Sequence, residues 1–348
     1  MGKTLRIHYS PYRSDCSHAS DRRRLLHWAK YRQVKISIDP HTAFDILYAN
    51  VNTPIIQMER AKESGKEIYF EIVDGYHAQD NLLRDWLRKG LRNVPERHFF
   101  ELKTFSQSIR EKCKLADKVI APNIEISADL LTYSSEVHTI LDFHEEFPFR
   151  SRRPRKDLFS KLIWEGQTFT LSGLLSIQGQ LVNLKRDHPN LEITVITDLK
   201  SPMLRGKYIQ VDTSERLKEL YKSFENDLTV HPWSVDGVIS KTEKGGVAML
   251  PLKSGEYLSK HKPENRLLIM WRLGLPVIAS NIPSYIRVMN AAGLDRGYCS
   301  SDVDWYNRIN EFLDDPNLCY ENLKLGQEYI KQHHNESILM GKWDTLFS

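Results

Sequence analysis

Short apolar runs alternate along the chain with longer stretches whose apolar positions recur at helical spacing. The first kind predicts buried strands and the second amphipathic helices. In the first half, strands are predicted at 5–9, 34–38, 44–48, 68–73, 118–121 and 137–141. Helices are predicted between them over 18–32, from Pro54 to a break at Gly65, and over 81–114 with an interruption near 93–95. In the second half, strands at 159–164, 191–196, 228–232 and 246–250 alternate with helices over 171–188, 214–224 and 302–313, and a final helix spans 322–343. Such alternation argues for largely parallel sheets covered on both faces.

Length changes the picture first. A chain of 348 residues exceeds what one hydrophobic core usually supports, so two domains are expected. The run 150–156 carries charge, is flanked by Pro148 and contains Pro154, and has little to bury. It reads as the linker between a domain at 1–150 and one at 151–320, with 321–348 as a closing helix. Cys16, Cys113, Cys299 and Cys319 are far apart and form no CxxC, which excludes a disulfide scaffold. No run of 18 apolar residues occurs, and Met1 is not followed by an apolar h-region. The expectation is a cytoplasmic chain without signal peptide or membrane span.

The net charge of +4 says little, but its distribution says more. Arg22, Arg23, Arg24, Arg84, Arg88, Lys89, Arg92 and the run 150–156 put basic groups in the first half. Such clusters suit phosphates, the anionic inner face of a membrane, or plain solvation. No basic strand interleaved with aromatics and no reader module is present, so nucleic acid is not an expected partner.

The stretch 260–285 is the most informative. Pro263 and Glu264 mark a helix start, and Leu267, Leu268 and Trp271 give it an apolar face. Gly274 is placed to stop it. Pro276, Val277, Ile278 and Ala279 then read as a strand, and Asn281 to Pro283 as a turn. Helix N-termini and the carboxyl ends of strands in open sheets are where ligands bind.

This stretch resembles the signature of GT-B nucleotide-sugar glycosyltransferases of the family 4, or group 1, type. The pattern K-x-x-N-[KR], then G-x-P-V-I-A-S and P-x-Y, is met by Lys262, Asn265, Arg266, Gly274, Pro276, Val277, Ile278, Ala279, Ser280, Pro283 and Tyr285. The likeness extends over about 161–343, including the loop that ends in Gly166. It implies two Rossmann-like α/β domains facing across a cleft, with the last helix bracing both. The first would take a glycan or lipid-linked glycan acceptor, and the second a nucleotide-sugar donor. It further implies donor-binding roles for Gly166, Glu264, Asn265 and Arg266. Protein groups rather than a held metal would meet the diphosphate, so neither metal nor cofactor is expected. Two departures stand out: Gly246 replaces the family's aspartate, and Ile269 occupies the place of the second glutamate of an E-x7-E pair. A retaining mechanism is therefore not assigned.

An inverting transfer needs a base for the acceptor hydroxyl. Asp74 follows the strand at 68–73, and His77 stands three residues on with a side chain suited to proton transfer near neutrality. Asp15, His18 and Arg22 follow the first strand and are assigned to the acceptor or diphosphate side. Ser17 and Asp21 are read alternatively as helix caps. Asp142, His144, Glu145 and Glu146 form a further polar cluster, lining or hinging the cleft. GxGxxG, GxxxxGK[ST] and GxSxG are all missing, against dinucleotide-dependent, P-loop and α/β-hydrolase chemistry. A sugar-nucleotide epimerase of the same fold and a catalytically inactive binding domain remain as alternatives.

Overall fold

The computed structural model describes residues 5–39, 41–78, 104–153, 159–203, 209–253 and 257–348. Two compact units emerge. One takes in the chain as far as His144, the segment Lys260–Pro263 and Glu336–Ser348; the other comprises Glu145–Ser259 and Glu264–Asn335. Of the helix expected over 81–114, positions 81–103, with Arg84, Arg88, Lys89 and Arg92, lie outside the described residues, as do positions 154–156 of the basic run; the remainder falls in the helix Phe105–Leu115.

The first unit holds a six-stranded sheet in the order β2-β1-β3-β4-β5-β6, every pairing parallel. Its strands are β1 (Ile7–Tyr9), β2 (Ile36–Ser37), β3 (Ile46–Asn50), β4 (Glu67–Glu71), β5 (Lys118–Ala121) and β6 (Val137–Thr139). Period-2 side-chain alternation splits its core in two. Ile46, Tyr48, Tyr69 and Ile120 face a cluster that includes Leu25, Trp28, Leu339, Met340 and Trp343. Leu47, Ala49, Ile68, Phe70, Val119 and Ala121 face Met58, Phe105, Ile109 and Ile126.

The second unit repeats the plan in the order β11-β8-β7-β12-β13-β14, again all parallel. Its strands are β7 (Lys161–Glu165), β8 (Glu192–Thr197), β11 (Leu228–Pro232), β12 (Val247–Leu250), β13 (Val277–Ser280) and β14 (Tyr298–Cys299), with an antiparallel pair β9 (Lys200–Met203) and β10 (Ile209–Asp212) beside them. The arrangement is α/β throughout, as the alternating pattern predicts.

Several expected helices are shorter or broken. The helix over 18–32 is two pieces, Ala19–Arg22 and Leu25–Arg32, because Arg24 is drawn out of the ladder into buried carboxylates. The helix over 171–188 divides at Ile177 into Leu171–Ser176 and Gln178–Asp187. Pro283 does not merely end a turn; it starts a helix, Pro283–Ala291, where its fixed φ and missing N–H cost nothing. The final helix is two, Pro316–His333 and Glu336–Leu346. β9, β10 and β14 carry too little periodic signal to be read from sequence. The basic run is not a purely solvated face: Arg150 Nη1 donates to the Ile239 carbonyl at 2.9 Å, and Arg152 Nη2 to that of Thr242 at 2.8 Å. All four cysteines are free thiols. Among the described residues, no helix is long and apolar enough to cross a membrane.

The helix of the 260–285 stretch, Asn265–Arg272, is locked by the helix Pro316–His333. Asn322 Oδ1 accepts from Trp271 Nε1 at 3.2 Å and from the Val277 amide at 2.9 Å, and Gln327 Nε2 donates to the Trp271 carbonyl at 2.8 Å. Gly326 lies against the Trp271 ring so closely that a Cβ there would stand 2.2 Å from it. Gly326→Ala is expected to destabilise the chain by about 1–3 kcal/mol through overpacking, read as a lower urea midpoint with unchanged slope.

Candidate functional site

In the first unit, the chemistry gathers beyond the carboxyl ends of β1, β4 and β5. The deepest element is ionic. Arg24 is fully buried, with Nε 2.5 Å from Glu71 Oε1 and Nη1 2.8 Å from Asp142 Oδ1. Tyr48 donates its hydroxyl to the same Glu71 oxygen at 2.7 Å. Burial raises the Glu71 carboxyl, against the pull of Arg24. Arg24 is thus a structural counter-ion rather than part of a basic surface, and Asp142 serves it rather than lining or hinging a cleft.

The loop after β1 is organised by Asp21, which is buried and accepts from the Tyr9 hydroxyl at 2.5 Å, the Tyr12 amide at 2.8 Å and the Arg13 amide at 3.2 Å. Asp21 is therefore the loop's anchor rather than a helix cap. The cap is His18, whose Nδ1 accepts from the Ser20 amide while its ring stacks on Tyr12. Burial lowers the His18 imidazole. Asp15 is exposed and held below the usual carboxylate range by the Ser17 amide, and Arg22 donates to the Ser17 carbonyl. Asp15, His18 and Arg22 are thus spent largely on shaping this loop.

β4 delivers Asp74 and His77 as expected, but to different partners. Asp74 is buried; its Oδ1 accepts from the Gly75 amide at 3.0 Å and its Oδ2 from Lys262 Nζ at 2.8 Å. His77 lies on the short 3-10 turn Tyr76–Ala78 and directs Nε2 to Asp129 Oδ2 at 3.0 Å. His261 directs its own Nε2 to the same oxygen at 2.8 Å. Burial lowers the His77 imidazole. Burial would raise Asp129, but the bonds from the two imidazoles outweigh it and hold the carboxyl low. Gly75 makes room for His261, since a Cβ there would meet that of His261 at 2.4 Å.

In the second unit, Arg266 stands on the first turn of Asn265–Arg272, beyond the end of β7. Its guanidinium lies 5.4 Å above the Trp164 ring, and its Nε is 3.3 Å from Glu165 Oε2. Stacking on an indole favours a partly desolvated cation. Nε, Nη1 and Nη2 are all buried without a hydrogen-bond acceptor among the described residues. Gly166 matters sterically: a Cβ there would meet Arg266 Nη2 at 3.1 Å. Glu264 is buried at the N-cap position and accepts from Arg287 Nη2 at 2.9 Å without capping the helix. Asn265 is half-buried beside it. Sequence reasoning missed Glu165, Trp164 and Arg287 here, and Asp129 and His261 in the first unit. A cue was present for Trp164 and Glu165, directly ahead of Gly166, and for His261, inside the stretch 260–285.

No family model matches the chain, and no curated protein matches it in sequence. Solved structures match its fold. TarM of S. aureus, in complex with UDP, fondaparinux and alpha-GlcNAc-glycerol, aligns with a TM-score of 0.60 at 12% identity over 87% of this chain and 55% of its own. WaaG, a glycosyltransferase involved in lipopolysaccharide biosynthesis, aligns with a TM-score of 0.58 at 10% identity over 98% of this chain and 99% of its own. The pneumococcal O-GlcNAc transferase GtfA, with UDP and GlcNAc, gives 0.54 at 10% identity over 86% and 56%. The chain spans about half the length of TarM, at 55% and 54% in two structures. The fold is that of the GT-B glycosyltransferases.

Arg24→Met should destabilise the first unit by about 3–5 kcal/mol, because it strands the buried Glu71 carboxylate. The deficit should shrink as the pH falls, since a neutral Glu71 needs no counter-ion. Urea unfolding at neutral and mildly acid pH measures both.

Proposed function

We propose that this chain is a glycosyltransferase that moves a sugar from a nucleotide-sugar donor to a hydroxyl of a glycan or lipid-linked glycan. The observation that carries the reading is Arg266, its guanidinium ion-paired with Glu165 but its three nitrogens buried without hydrogen-bond partners among the described residues, on the first turn of a helix at a strand's carboxyl end. Unspent donors at a helix N-terminus suit an anion. A departing nucleoside diphosphate gains charge that such a group stabilises. Glu165 and Trp164 hold the guanidinium in one place beforehand, which limits the reorganisation required during the reaction. Asn265 and the adjoining amides supply further donors, Glu264 takes the ribose hydroxyls, and Gly166, lacking a Cβ, lets Arg266 and Thr170 pack close against it. The UDP bound in TarM and GtfA makes a uridine donor the first to test.

In the first unit, Asp74 is the proposed base for an inverting transfer. Its carboxylate has two partners, Gly75 and Lys262, and keeps further lone-pair capacity for a hydroxyl proton. His77 is the second choice, since its Nε2 already serves Asp129. Asp15, His18 and Arg22 would support the acceptor side through the loop they shape. The chain is proposed to act in the cytoplasm, at the inner face of an anionic membrane when the acceptor is lipid-linked.

Arg266→Ala should weaken UDP binding roughly 10-fold or more, the loss of about one charge-assisted contact. Calorimetric titration reads this, and unchanged affinity would remove Arg266 from the site. Asp74→Asn should retain the fold and UDP affinity yet lower turnover by on the order of 10²-fold or more. Near-normal turnover in Asp74→Asn with a large loss in His77→Ala would transfer the role to His77.

A further inference from the structure

We propose that His77, His261 and Asp129 form a binding site for a divalent transition cation of the Zn2+ class. The three come from separate segments of the first unit: the turn after β4, the helix Ile124–Leu130 after β5, and Lys260–Pro263. Their ligand atoms, one from each residue, all lie within 4.8 Å of one another. The imidazole rings stand at 75° with centroids 5.3 Å apart, so both Nε2 edges converge on one carboxylate oxygen without stacking. His77 and His261 are buried, and Asp129 is open to solvent on one side, which gives an ion a way in.

The donor chemistry selects the cation. Two neutral imidazoles and one carboxylate suit Zn2+, Co2+ or Ni2+, whereas Mg2+ and Ca2+ prefer all-oxygen shells. Three protein ligands leave a tetrahedral ion one open position for water or another ligand. Ligation replaces the two Nε2 bonds to Asp129, so each imidazole binds the ion through the nitrogen that now faces that carboxylate. His77 Nδ1 is buried and has no hydrogen-bond partner among the described residues, so no bond there holds the ring away from an ion at Nε2. Among the described residues, Arg110 Nε donates to the His77 carbonyl and not to its ring.

The consequence is mechanical. A cation held here ties the segment Lys260–Pro263 to the turn that carries Asp74 and His77. It also commits His77 Nε2 to the ion, which leaves Asp74 as the base candidate on that turn. The site itself rests on side-chain placement in one unit and stands whether or not the chain transfers sugar.

Co2+ titration of the untagged full chain, freed of metal beforehand, tests the proposal. The expected result is one equivalent of Co2+ bound with visible ligand-field absorption, displaced by Zn2+ and unaffected by excess Mg2+. Asp129→Asn and His261→Gln should each weaken Co2+ binding by at least 10-fold, while His138→Gln, at an exposed pair with Glu136, should leave it unchanged. Circular dichroism monitors folding of each variant, and Asp129→Asn, altered at a half-exposed side chain, keeps the test decisive if His261→Gln does not fold. Absence of a Co2+ spectrum in the intact chain would overturn the proposal. So would binding that survives both ligand substitutions.

Discussion

A positive charge taken wholly out of water must be met where it lies, and in the first unit that charge is Arg24. Its engagement with Glu71 and Asp142 joins three parts of the chain that are remote in sequence: the helical region after β1, the end of β4, and the segment after β6. It explains why the helix over 18–32 is broken where it is. It also fixes the end of β4, and with it the turn carrying Asp74 and His77. A buried ion pair of this kind gains little over a well-packed apolar substitute, but it penalises every arrangement that separates its members. Its contribution is best understood as selection of one geometry.

The second unit reaches a comparable end by steric means. Gly166 leaves the space into which Arg266 extends, and Trp164 provides the surface on which it rests. Asn322 bonds both the Trp271 indole and the first residues of β13, so one side chain holds the helix and the adjoining strand in common register. The helix N-terminus is therefore set by packing some distance from any ligand. Such support from behind keeps the first turn of the helix, and Arg266 on it, in one place.

Most of the α/β plan was legible in the sequence because parallel strands buried on both faces are written as continuous apolar runs. The helix Asn265–Arg272 was legible for the same local reason: start, apolar face and glycine stop all fall within a few residues. What escaped was determined by distance along the chain. Nothing near His77 announces Asp129 or His261, which lie 52 and 132 positions from the partner that meets them. Helix interruptions escaped because Arg24 is an ordinary helix former until a buried carboxylate claims it. Pro283 reads as the end of a turn because proline looks alike at the end of one element and at the start of the next.

The helix Glu336–Leu346 belongs to the first unit and supplies Leu339, Met340, Trp343 and Leu346 to one face of its sheet. During synthesis, the strands of that sheet are made first, and this part of their cover is made only after the second unit. Until this helix is made, that face of the first unit's sheet lacks part of its apolar cover. An element translated after the second unit thus completes the first, and in the interval that sheet face is a surface a chaperone can hold.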